Sequence, residues 1–141
     1  MSEVKKRIAE KPAKKNGTVA RLKKLFPAGV NITRKKIWLS FDGTRAAYRI
    51  VSNSARGHVG EWHRGKPVVF VDSHLRGLDW KSIALHEAVE KLVAQKHSLD
   101  VDSQAHAVAV AVEKKWLEKQ GGNWRSHQMK VYHDWRKHGR K

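Results

Sequence analysis

His86-Glu87-Ala88-Val89-Glu90, followed by His106 and Glu113, decides how this chain folds, because it sets ionisable side chains where an amphipathic pattern calls for apolar ones. A helix over residues 78–97, turned ~100° per residue, puts His86 and Glu90 on one face with Ile83, Val89 and Val93 beside them. A second helix over 102–119 places His106 and Glu113 on one stripe among Ala109, Val110, Trp116 and Leu117. The link between them, His97-Ser98-Leu99-Asp100-Val101-Asp102, is short enough for an antiparallel hairpin, and Asp100 or Asp102 can cap the second helix. Folding about its midpoint brings Glu90 towards His106 and His86 towards Glu113. A carboxylate taken out of water without a partner costs several kcal/mol. The four groups are therefore expected to satisfy one another or to share a cation.

Two ligands one helical turn apart grip a metal ion from the same side, and a third from a neighbouring helix leaves a position open for water. His86, Glu90 and His106 are the expected ligands. Glu87, ~100° round from His86, points to the cleft edge, where a general base acts. Glu113 either orients His86 from behind or serves as a further ligand. The chain holds no cysteine, so thiolate ligands, disulfides and a Cys nucleophile are excluded. A His/carboxylate set accepts zinc, manganese, iron or nickel, and Zn2+ is the first choice.

His86-Glu87-x-x-Glu90 resembles the zincin metallopeptidase motif H-E-x-x-H with the second histidine replaced by glutamate, and the likeness extends over about residues 67–119. The resemblance implies metal-dependent hydrolysis of a protein substrate, with Val68-Val69-Phe70-Val71-Asp72 as the strand along which an extended peptide lies. The same cation chemistry serves a phosphodiester, which would make the chain a nuclease. A buried His/Glu network can also fix helix register without metal or chemistry, in a non-enzymatic nucleic-acid-binding protein. The sequence leaves all three open.

The rest of the chain predicts an α+β domain: a small antiparallel sheet, then the helical hairpin, then a C-terminal helix, preceded by a basic N-terminal arm. Residues 1–17 read as the mobile arm, 18–122 as the α+β domain with the hairpin at 78–119, and 123–141 as a basic helix and tail. Thr18 is expected to cap a short helix through Val19, Leu22, Leu25 and Phe26 that Pro27 ends. Ile37, Leu39 and Phe41 alternate along a strand, Asp42-Gly43 is a turn signal, and further strands are expected at 47–51, 58–63 and 67–71. His58, Glu61 and His63 read as exposed strand residues. His74, just before the motif helix, is either a substrate contact or an ordinary loop histidine. Gly121-Gly122 should end the hairpin's second helix, after which Asn123 caps a new one. Trp124, Val131 and Trp135 are expected to dock that helix on the core.

Of the net charge of +17 in 141 residues, +7 falls in residues 1–24 and +7 in residues 114–141. Basic ends of this kind attract polyanions by counterion release, so nucleic acid, DNA or RNA, is the expected partner, with acidic membrane a weaker option. Lys5, Lys6, Arg7, Lys14 and Lys15 at one end and Arg136, Lys137, Arg140 and Lys141 at the other are the candidate phosphate contacts. Aromatics interleaved with basic groups after Asn123 could stack on bases. No stretch approaches the ~20 apolar residues of a membrane span, and no apolar leader is present, so a cytoplasmic location is expected.

Overall fold

Apolar alternation builds the sheet, and the computed structural model describes it within residues 15–53 and 59–139. Along β2 (Lys36–Phe41) the side chains of Ile37, Leu39 and Phe41 all point inward and are buried. Asp42 and Gly43, at φ 52° and 71°, form the two-residue turn into β3 (Thr44–Ser52). A glycine and an aspartate suit this turn because both central residues need positive φ. β1 (Gly29–Ile32), β4 (Gly60–Trp62) and β5 (Val68–Val71) complete a five-stranded sheet in the order β1-β2-β3-β5-β4. β1 was not expected, since it is only four residues long and begins at Gly29 itself, two residues after Pro27.

The antiparallel arrangement expected from the sequence holds for three pairings and gives way at one, where β3 and β5 run parallel with Ile50 opposite Val69. β5 is thus an interior strand. Val68, Val69 and Val71 are all buried, the near-continuous apolar run of a strand covered on both faces. The strand left at the edge is β4, so the open edge available to an extended peptide belongs to Gly60–Trp62 and not to residues 68–72.

α2 (Gly77–His97) lies across this sheet, and every residue from Ser82 to Ala94 is buried. A helix enclosed all round has no solvent face on which to place its ionisable groups. A π-helical turn, Val101–Ala105, leads into α3 (His106–Lys119), and Asp100 Oδ2 caps it by accepting from the Ser103 backbone N–H at 3.1 Å and the Ser103 hydroxyl at 2.5 Å. Gly121, at φ 88°, closes α3, and Asn123 Oδ1 accepts the Ser126 N–H at 2.8 Å to cap α4 (Trp124–Asp134), which runs on into a π-helical turn, Trp135–Gly139. α1 (Asn16–Lys23) buries Leu22 completely against this assembly. It starts at Asn16 with no side-chain cap, so Asn16 and Gly17 belong to the helix and Thr18 does not cap it.

Asp42 ties the pieces together: it accepts from Arg21 Nη1 at 2.8 Å and His97 Nε2 at 2.7 Å, and Lys96 also reaches it. Burial works against its charge, but those hydrogen bonds outweigh it and hold the carboxyl well below the usual range. The hairpin turn is thereby fastened to α1 and to the end of α2. Among the described residues, no helix is long and apolar enough to cross a membrane.

Candidate metal centre

His86 and Glu90, one turn apart on α2, meet His106 at the start of α3. His86 Nε2 lies 3.4 Å from Glu90 Oε2, and His106 Nδ1 lies 3.2 Å from the same oxygen. Ligand atoms held at about 2.0–2.2 Å around a tetrahedral ion stand about 3.3–3.5 Å apart. Two edges of such a tetrahedron are therefore already close to the required length, and the three donor atoms all lie within 4.8 Å of one another. Two imidazoles and one carboxylate can hold a divalent cation here. His86 and Glu90 are buried while the His106 side chain is 54 % exposed, so the cluster opens to solvent on the α3 side.

Two of the three ligand candidates have support from behind. Trp62, from the edge strand, donates its indole N–H to Glu90 Oε1 at 2.8 Å, which turns Oε2 towards the two histidines. The buried Lys91 stacks over Trp62, its Nζ 5.1 Å from the ring centroid, and donates to the His63 carbonyl at 2.5 Å. Burial pushes the Lys91 pKa down to about 8. Glu113 Oε1 bonds His86 Nδ1 at 2.8 Å, leaving Nε2 to face Glu90 and His106. Glu113 thus contacts the His86 nitrogen that faces away from Glu90 and His106, where an orienting carboxylate would sit.

Behind Glu113 stands His127 of α4, which no spacing argument singled out. Its Nε2 lies 2.5 Å from Glu113 Oε2 and its Nδ1 2.8 Å from Asp79 Oδ1. Two carboxylates on either side of an imidazole favour donation from both nitrogens, which is the charged form of His127. Burial opposes that charge, but the bonds to Glu113 and Asp79 outweigh it and raise its pKa. Burial likewise works against the charged form of His86, while hydrogen bonds to Glu113 and Glu90 lift its pKa to about 10. Glu113 answers both histidines: burial pushes its pKa up, their hydrogen bonds outweigh this, and it stays lowered. The sequence signal for His127 is its place on the stripe Trp124, His127, Gln128, Val131, Trp135, an ionisable group in an apolar row as in α2.

These residues floor and wall an open cleft of about 480 Å3. α2 contributes Ile83, His86, Glu87 and Glu90, α3 contributes His106, Val110 and Glu113, and the edge of the sheet contributes Val59 and Gly60. Trp124, Val131 and Trp135 line the cleft too. Val131 also packs against the core, as expected, whereas the two buried residues of α4 are polar, His127 and Asp134. Glu87 lies in the cleft beside His86 and packs against Gly60 so closely that a Cβ there would sit 2.8 Å from Glu87 Oε2 and 2.7 Å from Ile83 Cγ2. Gly60 is therefore a close-approach position.

Other candidate residues lie elsewhere. His74 is outside the cleft lining and is bound to Asp72. Glu61 is buried rather than exposed, and His63 accepts the Gly65 N–H at 3.0 Å. Arg136 and Lys137 are exposed beyond α4, and Lys15 is half-buried just ahead of α1. Lys5, Lys6, Arg7, Lys14, His58, Arg140 and Lys141 lie outside the described residues. Comparison of the chain with protein-family models, with curated proteins and with solved structures gave no match.

Proposed function

We propose that the chain is a small metal-dependent hydrolase of the zincin type, acting on peptides, with His86, Glu90 and His106 as ligands. The observation that supports this most is the convergence of two imidazoles and a carboxylate on tetrahedral spacing, with a further carboxylate, Glu87, beside them in an open cleft. When bound, a divalent cation, Zn2+ by preference, would acidify water and polarise a scissile carbonyl. Glu87 would take a proton from the attacking water as its oxygen adds to the scissile carbonyl carbon, and give it to the amine nitrogen as the C–N bond breaks. Glu113, backed by His127 and Asp79, keeps His86 in the tautomer that offers Nε2.

A peptide suits the cleft better than a phosphodiester. Three carboxylates, Glu87, Glu90 and Glu113, line it and repel a polyanion. Val59 and His63 bond back to β5, which by antiparallel alternation turns the backbone of Gly60 outwards along the cleft, where an extended substrate can pair with it. The basic termini, including Arg136 and Lys137, would recruit the enzyme to nucleic acid or to proteins bound there. Glu87→Gln tests the assignment: turnover of a peptide library in the presence of Zn2+ should fall 10²- to 10⁴-fold with metal binding unchanged. Undiminished turnover would remove Glu87 from the mechanism. The closed chain Asp79, His127, Glu113, His86 favours a second reading, a nucleic-acid-binding protein in which the cluster is structural, because it satisfies its members without metal.

A further inference from the structure

We propose that Asp72, His74 and Asp134 form a second divalent-cation site, which clamps the end of α4 to the end of β5 and so holds the helical wall of the cleft in place. The three residues come from two parts of the chain: Asp72 directly follows β5, His74 is in the loop before α2, and Asp134 is the last residue of α4. Each offers a donor atom, and the three atoms lie within 4.8 Å of one another. Ligands at about 2.0–2.2 Å around a tetrahedral ion stand about 3.3–3.5 Å apart, so closure on an ion needs the widest pair to draw in by at most about 1.5 Å, within reach of side-chain rotation.

The observation that points to a ligand is Asp134. Its residue is 9 % exposed, and its Oδ2 is fully enclosed with no hydrogen-bond partner among the described residues. A buried carboxylate oxygen left without a donor is costly. It also faces Asp72, itself 2 % exposed. Burial and then the contact with Asp72 push the Asp134 pKa up to about 6. A cation between the two carboxylates would offset both penalties. The imidazole is already oriented: Asp72 Oδ1 receives the His74 backbone N–H at 2.8 Å and lies 2.9 Å from Nδ1. Two carboxylates and one imidazole suit zinc or manganese.

The site sits behind the cleft. Asp72 donates its backbone N–H to the Val59 carbonyl at 2.9 Å, and both Val59 and Trp135, the residue after Asp134, line the cleft. A cation here would fix α4, which carries His127, without touching substrate. This inference is independent of the hydrolase reading.

Zinc titration calorimetry on the full chain carrying His86→Ala and Glu90→Gln, which removes the first centre, tests it directly. About one equivalent should still bind, and adding Asp134→Asn or His74→Ala should abolish that binding. Amide exchange across residues 124–137 should slow about 100-fold at a zinc concentration ~100 times Kd, and not at all in the Asp134→Asn protein. If the double variant does not fold, wild type against Asp134→Asn reads the same quantity, with two equivalents falling to one. Zinc binding that neither Asp134→Asn nor His74→Ala changes would overturn the proposal. So would a folded double variant that binds none, the result expected if the carboxyl pair merely shares a proton.

Discussion

Glu113→Gln separates an orienting role from ligation. The wild-type carboxylate bonds His86 Nδ1 at 2.8 Å and His127 Nε2 at 2.5 Å, both buried. Glutamine is neutral and offers one oxygen to two N–H donors, so its amide N–H meets one histidine as a second donor and the chain that holds His86 from behind is broken. Loss of a buried partner behind a metal-bound histidine costs about 10- to 100-fold in metal affinity, or about 1.4–2.7 kcal/mol. The metal-free protein should lose about 1–3 kcal/mol as well, because a charged hydrogen bond disappears from the interior. Zinc affinity by competition with a chromophoric chelator, and urea unfolding of the metal-free protein, measure the two effects. Affinity within threefold of wild type would refute the claim that Glu113 orients His86. Complete loss of zinc at the first centre, in a protein that still folds, would show that Glu113 is itself a ligand.

Two further outcomes follow from the same geometry. Gly60→Ala should cost about 1–3 kcal/mol in urea unfolding, since its Cβ would meet Ile83 and Glu87 below 3.0 Å, and it should lower peptide turnover by displacing Glu87; unchanged stability would mean the cleft wall yields freely. The His86 pKa is raised from 6.5 to about 10 in the metal-free fold, so its stabilising contribution is fully present below pH 6.5 and is lost as pH rises through 10. Metal-free stability should therefore decline on the alkaline side while zinc affinity climbs by up to about tenfold per pH unit over the same window, because the cation no longer displaces a proton. Unfolding curves and chelator competition at several pH values check the pair, and flat profiles in both would contradict it.

The hairpin was legible because its signal is local. Period 3.6 placed His86 with Glu90 and His106 with Glu113, and a short link allowed one way of folding them together, which put His86 beside Glu113 and Glu90 beside His106. Asp100 and Asn123 were readable as caps for the same reason. What escaped depends on contacts distant in sequence. Nothing within Pro67–Val71 says that its neighbours are β3 on one side and β4 on the other, so its interior position and parallel pairing were missed. The Glu90 partner Trp62 is 28 residues away on another element, and His127 reaches Glu113 from a helix beyond a glycine break. The aromatic stripe from Trp124 to Trp135 looked like core because aromatics usually are core; here it borders the cleft, and the buried residues of α4 are the polar His127 and Asp134.

The central claim is that His86, Glu90 and His106 hold a divalent cation. It is tested most directly by elemental mass spectrometry of purified full-length protein equilibrated with zinc, comparing wild type with folded His86→Ala and Glu90→Gln variants. The account predicts that each variant carries about one equivalent less zinc than wild type. Equal zinc content in all three proteins would contradict it and leave the cluster as a structural hydrogen-bond network.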